Sequence, residues 1–196
     1  MYSFRTLTWL VSFLLLSGCV TLYQPVPEGY TGTIAQVADS YNNLTNSYAD
    51  YFELNKVDGK AIKGSFAETR SRNYGRGMAF DPYMVSRPLP TKEQTLTLIA
   101  YRFYSTDFES MLSDNYMIRH TFTFTPKANE HYRVSGEVTS EQSSVWLEDS
   151  KGNKIAGSYF SIDAATREEN NRLAREQRQQ EIIAKNKEER RKKRGF

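Results

Sequence analysis

The chain has 196 residues, 39% hydrophobic and 25% charged, with 13 Tyr, 11 Phe, one Cys and a formal net charge of +3. The aromatic content excludes a wholly disordered chain, the mean hydropathy of −0.64 implies that part of it lies outside any core, and one cysteine excludes an internal disulfide. The basic excess is local: residues 163–196 carry 11 Lys and Arg against 7 Asp and Glu, and residues 20–162 carry 14 against 16.

Taken in chain order, the first element is a secretory signal over residues 1–18. Arg5 and the amino terminus supply a thin positive region, and residues 7–16 form an apolar run too short to span a bilayer. Leu16-Ser17-Gly18-Cys19 follows directly. This resembles the bacterial lipobox: an apolar residue, two small residues, then the cysteine. The resemblance implies cleavage between Gly18 and Cys19, diacylglycerol on the Cys19 thiol and an acyl chain on the new amino group. Two or three chains hold a protein on a membrane almost permanently, since each buried methylene contributes about 0.8 kcal/mol. Val20, in place of an Asp, implies the outer membrane of a Gram-negative cell, with the domain facing the periplasm. Beyond Cys19, Pro25, Pro27, Gly29 and Gly32 give residues 19–32 the character of a tether that holds the domain off the lipid.

Residues 33–162 read as an antiparallel β-sandwich of about seven or eight strands, with a small β-barrel as the alternative. Strands are expected at 33–38, at 51–57 ahead of the Asp58-Gly59 hairpin signal, and at 95–103. At 119–125, His120, Phe122 and Phe124 alternate with threonines, and at 131–138 Tyr132, Val134, Gly136 and Val138 repeat the period of two. Residues 145–148 and 155–160 complete the set around a turn at 150–153. Residues 104–118 break the pattern, and Thr106 with Glu109 would make a capping box for a short helix. The run from Phe124 past Pro126 to Tyr132-Arg133-Val134, then Val145-Trp146-Leu147-Glu148-Asp149, together with Val57-Asp58-Gly59, resembles small proteobacterial lipoproteins with a transthyretin-like or immunoglobulin-like sandwich. That resemblance implies a fold and a location and carries no catalytic residue.

Residues 163–196 form a charged helix with Asp163 as cap and no Gly or Pro before Gly195. Glu168–Arg172, Glu181–Lys185, Glu188–Lys192 and Glu189–Lys193 are spaced to pair along it. Leu173, Ile182 and Ile183 make no heptad seam.

Chemistry is sparse. His120 and His131 are the only histidines, no zinc-ligand spacing occurs, and no Gly-x-Ser-x-Gly surrounds a serine. Asp107 with Glu109 is the kind of carboxylate pair a glycosidase uses, and any acidic chain offers such pairs. Arg70, Arg72 and Arg76, interleaved with Asn73, Gly75 and Gly77, form a candidate anion site, against the plainer reading of a solvated loop. Arg190, Arg191, Lys192, Lys193 and Arg194 form the densest cationic run. Export sets nucleic acid aside as its partner and leaves lipid phosphate, cell wall or an envelope protein. The plainer reading is a helix end that favours cations. No metal or cofactor is expected besides the covalent lipid. The expected function is a membrane-anchored binding or scaffolding module of the envelope, with a small hydrolase using carboxylates in a sandwich cleft as the alternative.

Overall fold

The structure, a computed structural model, describes residues 22–73, 81–105 and 116–194. The expectations for Gly18, Cys19, Arg76, Asp107, Glu109 and the capping box at Thr106 fall outside the described residues. Ten strands, two of them very short, and two helices make up the described fold.

One sheet runs in the order β10 (Phe160–Asp163), β9 (Gln142–Glu148), β8 (His131–Val138), β1 (Ile34–Ala38), β5 (Ser86–Pro90). The other runs β2 (Ser40–Asn42), β3 (Tyr48–Val57), β6 (Gln94–Tyr104), β7 (Ile118–Phe124), with β4 (Lys60–Ala61) closing a hairpin on β3. Pairing is antiparallel except where β1 lies parallel to β8. The fold is a two-layer, mainly antiparallel arrangement, and the barrel alternative is overturned. Its adjacent edges, β7 and β10, meet through side chains: His120 stacks on Phe160 at 5.1 Å.

The core comes from one face of each strand, as period-two patterning demands. Val37, Phe52, Leu54, Leu96, Leu98, Val134, Val145 and Leu147 are fully buried between the sheets. Gly136 sits in this layer because nothing larger fits. A Cβ there would lie 2.3 Å from the Ser144 carbonyl oxygen and 2.4 Å from the Phe52 ring. The Asp58-Gly59 turn has positive φ at both residues, 50° and 73°, the left-handed pair a tight hairpin needs.

Four elements differ from the sequence reading. The strand expected at 155–160 begins only at Phe160. The Ser158 hydroxyl accepts from the Leu147 amide (3.0 Å) and takes the ladder position beside β9, so the chain before it folds into a turn with Gly157 at φ 77°. Residues 65–73, read as loop, form helix α1 (Ser65–Asn73). Strand β5 is an edge strand carrying Pro88 and Pro90. Asp39 donates to Val85 O and Thr91 donates to Thr33 O, so the odd-numbered residues of β5 face β1 and both prolines present their missing amides outward. Residues 22–33 do not leave the domain as a free tether: the Tyr23 amide donates to Ala61 O (3.1 Å), and its ring packs against the core.

Helix α2 (Ala164–Arg194) spans 31 residues, or about 46 Å. The Asp163 carboxylate accepts from the Thr166 amide at 2.7 Å, the expected cap. Burial of α2 is confined to the first turns; beyond them Ala174, Gln177, Arg178 and Glu181 form one wall of an open cleft whose other wall includes Ile118, Arg119, Phe160 and Ile162. Arg167 is buried in the first turns, its guanidinium donating to Thr139 O (3.2 Å), Ser140 O (3.0 Å) and Ser143 Oγ (2.9 Å) and lying over the Tyr116 ring. Leu173, Ile182 and Ile183 are exposed. Arg167 therefore serves the sandwich although it belongs to the helix. A chain ending at Arg172 is expected to melt like the full chain, whereas Arg167→Ala loses about 2–3 kcal/mol in urea unfolding, because the buried Ser143 hydroxyl and two part-buried carbonyls lose a charged donor. Equal midpoints for Arg167→Ala and the parent would refute this.

Candidate functional site

The titratable side chains concentrate in a buried knot where the chain passes from one sheet to the other. Asp39 lies between β1 and β2 and is 3% exposed. Its carboxylate accepts the Leu54 amide from β3 (2.9 Å), the Ser65 hydroxyl from α1 (2.6 Å), and the Arg87 guanidinium from β5 through both oxygens (2.7 and 2.5 Å). A forked guanidinium on a carboxylate is the pairing that best fills both groups' hydrogen-bonding positions.

Beside it, Glu53 points from the outer face of β3 towards the N-terminus of α1 and is 2% exposed. One carboxyl oxygen accepts from the Phe66 amide (2.7 Å) and the Tyr101 hydroxyl (2.6 Å). A Cβ on Gly64 would stand 2.9 Å from the other oxygen, so the turn into α1 is shaped to this carboxyl. Burial, and then the Asp39 charge, push the Glu53 carboxyl up to about 7, against the opposing help of Tyr101, Phe66 and Arg87. Burial likewise pushes the Tyr51 and Tyr101 phenols up. Helix α1 roofs this layer: Phe66 packs edge-on to Phe103 at 5.1 Å, and the Tyr51 hydroxyl donates to Thr69 Oγ1 at 3.1 Å.

A second buried pair closes the opposite end of the sandwich. Arg102 on β6 forks onto Asp50 on β3 (2.7 and 3.0 Å) and donates to Val138 O in the other sheet. The rings of Tyr48 and Tyr116 lie 4.2 and 4.7 Å from the Arg102 guanidinium carbon. The hydrogen bond from Arg102 to Asp50 holds the guanidinium far above any physiological titration.

The residues singled out in the sequence are scattered. Arg70 and Arg72 sit in the last turn of α1, where cations suit the helix dipole. Arg72 stacks over Tyr83 at 3.4 Å, and Lys63 pairs with Glu68 at 2.9 Å. His120 is held between Phe122 and Phe160, with Nε2 3.0 Å from Gly157 O, and His131 starts β8 on the surface. Arg172 is clasped by Glu169 and Glu176 at 2.6 Å each, a different set from the expected Glu168. Lys192 pairs with Glu188 at 2.7 Å, as its spacing predicts. Arg190 and Arg191 are exposed, and Lys193 and Arg194 complete the helix backbone. The arginines of α1 and the cations of α2 lie on different helices and, among the described residues, form no common cluster. Among the described residues, no three His, Cys, Asp or Glu side chains gather as a metal would require.

Asp50, Glu53 and Arg102 were not singled out in the sequence. Each is a charge inside a run of core residues, YADYFELNKV or QTLTLIAYRFY, and that context was the available signal. Chemically, Asp39 holds the Arg87 guanidinium, whereas Glu53 beside it accepts only the Phe66 amide and the Tyr101 hydroxyl, and both carboxyls are closed to solvent. Compared with protein-family models, with curated proteins and with solved structures, the chain matches none.

A raised acid contributes stability that is full below its unfolded value near 4.5 and is lost as pH climbs through about 7. Unfolding free energy measured in urea is expected to fall by about 3 kcal/mol across that window because of Glu53. Glu53→Gln, which keeps an uncharged acceptor for Phe66 and Tyr101, should flatten this slope relative to the parent. An unchanged slope in the variant would remove Glu53 as its source.

Proposed function

We propose that this protein is a lipid-anchored component of the bacterial envelope. Acylated Cys19 holds a β-sandwich at the periplasmic face of the outer membrane, and the sandwich acts as a binding or scaffolding module. The observation that carries this reading is the apolar run followed by Leu16-Ser17-Gly18-Cys19, which ends immediately before the folded domain. Both sheets are built from residues 34–163, so the described sandwich needs no strand from the leader.

Helix α2 fits the binding half of the proposal. Beyond its first turns the helix is mostly charged and polar, with Leu173, Ile182 and Ile183 left exposed, so it gains little from its own domain, and such a helix finds its use in bridging or in a partner. Its terminal cations, Arg190, Arg191, Lys192, Lys193 and Arg194, suit an anionic partner such as cell wall, acidic lipid or an acidic envelope protein. The alternative, a carboxylate hydrolase, has less support. The Asp39 and Glu53 carboxyls are 3% and 2% exposed, and both accept donors from the fold itself.

The test is made in intact cells. Cys19→Ser should abolish lipidation, because serine lacks the thiol that receives diacylglycerol, and the unprocessed precursor should accumulate. Mass spectrometry of the N-terminal peptide reads both changes. Cross-linking of the wild type is then compared with a variant carrying Gln at the five terminal cations, and the adducts should decline in the variant. An unacylated Cys19 in the wild type would sink the anchoring, and identical adducts in both proteins would sink the role of the tail.

A further inference from the structure

The two sheets end in four edges, and three of them offer little to a further strand. Strand β5 presents Pro88 and Pro90, β2 and β4 run three and two residues, and β10 runs four. Strand β7 differs. It runs seven residues, contains neither Gly nor Pro, and among the described strands pairs with β6 alone.

Register fixes which of its main-chain groups are spent. The Asp58 amide donates to Thr95 O, the Thr95 amide donates to Asp58 Oδ1, and the Ser105 amide donates to Ser47 O. The odd-numbered residues of β6 therefore turn their main-chain groups to β3, and the even-numbered ones turn theirs to β7. Leu96, Leu98 and Ala100 stand opposite Phe122, His120 and Ile118. The amides and carbonyls of Arg119, Thr121 and Thr123 point out of the sheet, one pair every two residues, or about 7 Å. Among the described residues no main-chain bond from another element reaches them, and all three side chains are exposed.

The first half of this edge borders the cleft beside α2, which holds about 590 Å³. Ligand clefts commonly hold roughly 300–1,000 Å³. Ile118, Phe160 and Ile162 make its β wall apolar. On the facing wall Asn170, Ala174, Gln177 and Glu181 recur at helical spacing and present amides and a small side chain, not bulk. Arg119 and Arg178 border the cleft too, and neither enters an ion pair among the described residues; Glu181 is the acid in its lining.

We propose that the β7 edge is a strand-addition site: an extended polypeptide segment of another protein pairs with the main chain of Arg119, Thr121 and Thr123 and lies in the cleft between β7 and α2. An extended main chain carries donors and acceptors at the spacing this edge presents. Alternate side chains of the segment then face the apolar wall. Those between them face solvent, where an acid opposite Arg119 makes a favourable cross-strand pair. The segment is therefore one of alternating apolar and polar residues with an acid among the polar ones. Helix α2 flanks the edge, so a single segment enters where a second folded copy does not. The inference rests on the reading of the sandwich as a binding module, and needs neither an acylated Cys19 nor the terminal cations.

The experiment titrates the full chain, purified in detergent, against a fluorescent Ser-Val-Glu-Val-Thr-Val-Ser peptide and reads anisotropy. Saturable binding is expected. A strand turns one alternate set of amides to its neighbour and the other set away. Methylating the peptide amides in one frame should thus weaken binding by about tenfold or more, and in the other frame by less than about twofold. Ala174→Trp, at an exposed position of the helix wall, should fill the cleft and abolish binding with an unchanged melt. Arg119→Glu should weaken the peptide about fivefold and strengthen its counterpart with Lys in place of Glu by a similar factor. No saturable binding at millimolar peptide, an equal response to methylation in both frames, or undiminished binding by Ala174→Trp overturns the site. A dimer that Ala174→Trp dissociates also overturns it, because the edge would then belong to a second copy. Failure of the peptide alongside tail-dependent adducts in cells overturns the strand site alone and leaves the binding module standing.

Discussion

The Asp39 carboxylate is the constraint on which the remaining structure hangs. It stands at the residue where the chain quits one sheet for the other, and it draws a strand amide, a helix hydroxyl and a guanidinium onto two oxygen atoms. A buried carboxylate tolerates this position only if its partners remain, since breaking one member of such a pair costs about 3–5 kcal/mol. The knot therefore fixes β5 against β1, the start of β2 against β3, and the N-terminus of α1 over the outer face of β3. Glu53 then finds itself roofed, short of a counter-charge, and raised.

Arginine, and not lysine, handles every buried cation described. Arg87 and Arg102 fork onto carboxylates, and Arg167 distributes its donors over two carbonyls and a hydroxyl. Each uses several directed donors from one planar group, which an ammonium cannot reproduce. The lysines are left for the surface, where a mobile point charge on a long stem is the useful property.

Much of the sandwich was legible because its core strands alternate. The threonine-aromatic alternation of β7 and the Tyr132-Val134-Gly136-Val138 series of β8 mark their inward faces directly, and Asp58-Gly59 marks its hairpin. Helix α1 was not legible, because the residues it buries are Ser65 and Thr69, which carry no hydrophobic period. Strand β5 was hidden by prolines that are acceptable only at an edge, and edge position is a tertiary fact. The docking of residues 22–33 on the domain was hidden for a similar reason: Pro25, Pro27 and Gly29 describe a stiff, turning segment but not what it lies on. The candidate site was the least legible part. A single acid in a strand acquires meaning only when another strand supplies its guanidinium.

The two prolines of β5 also shape how copies of this protein coexist. A sheet edge is a row of unused amides and carbonyls on which another strand will condense, and the proposed anchor, by confining copies to two dimensions, would multiply the encounters. Of the three β5 residues that face outward, Ser86, Pro88 and Pro90, two have no amide hydrogen to offer. A strand arriving from a neighbouring molecule would find its acceptors unanswered at alternate steps. This edge of the sandwich thus resists sheet-to-sheet polymerisation, and molecules can stand side by side without stacking into fibres.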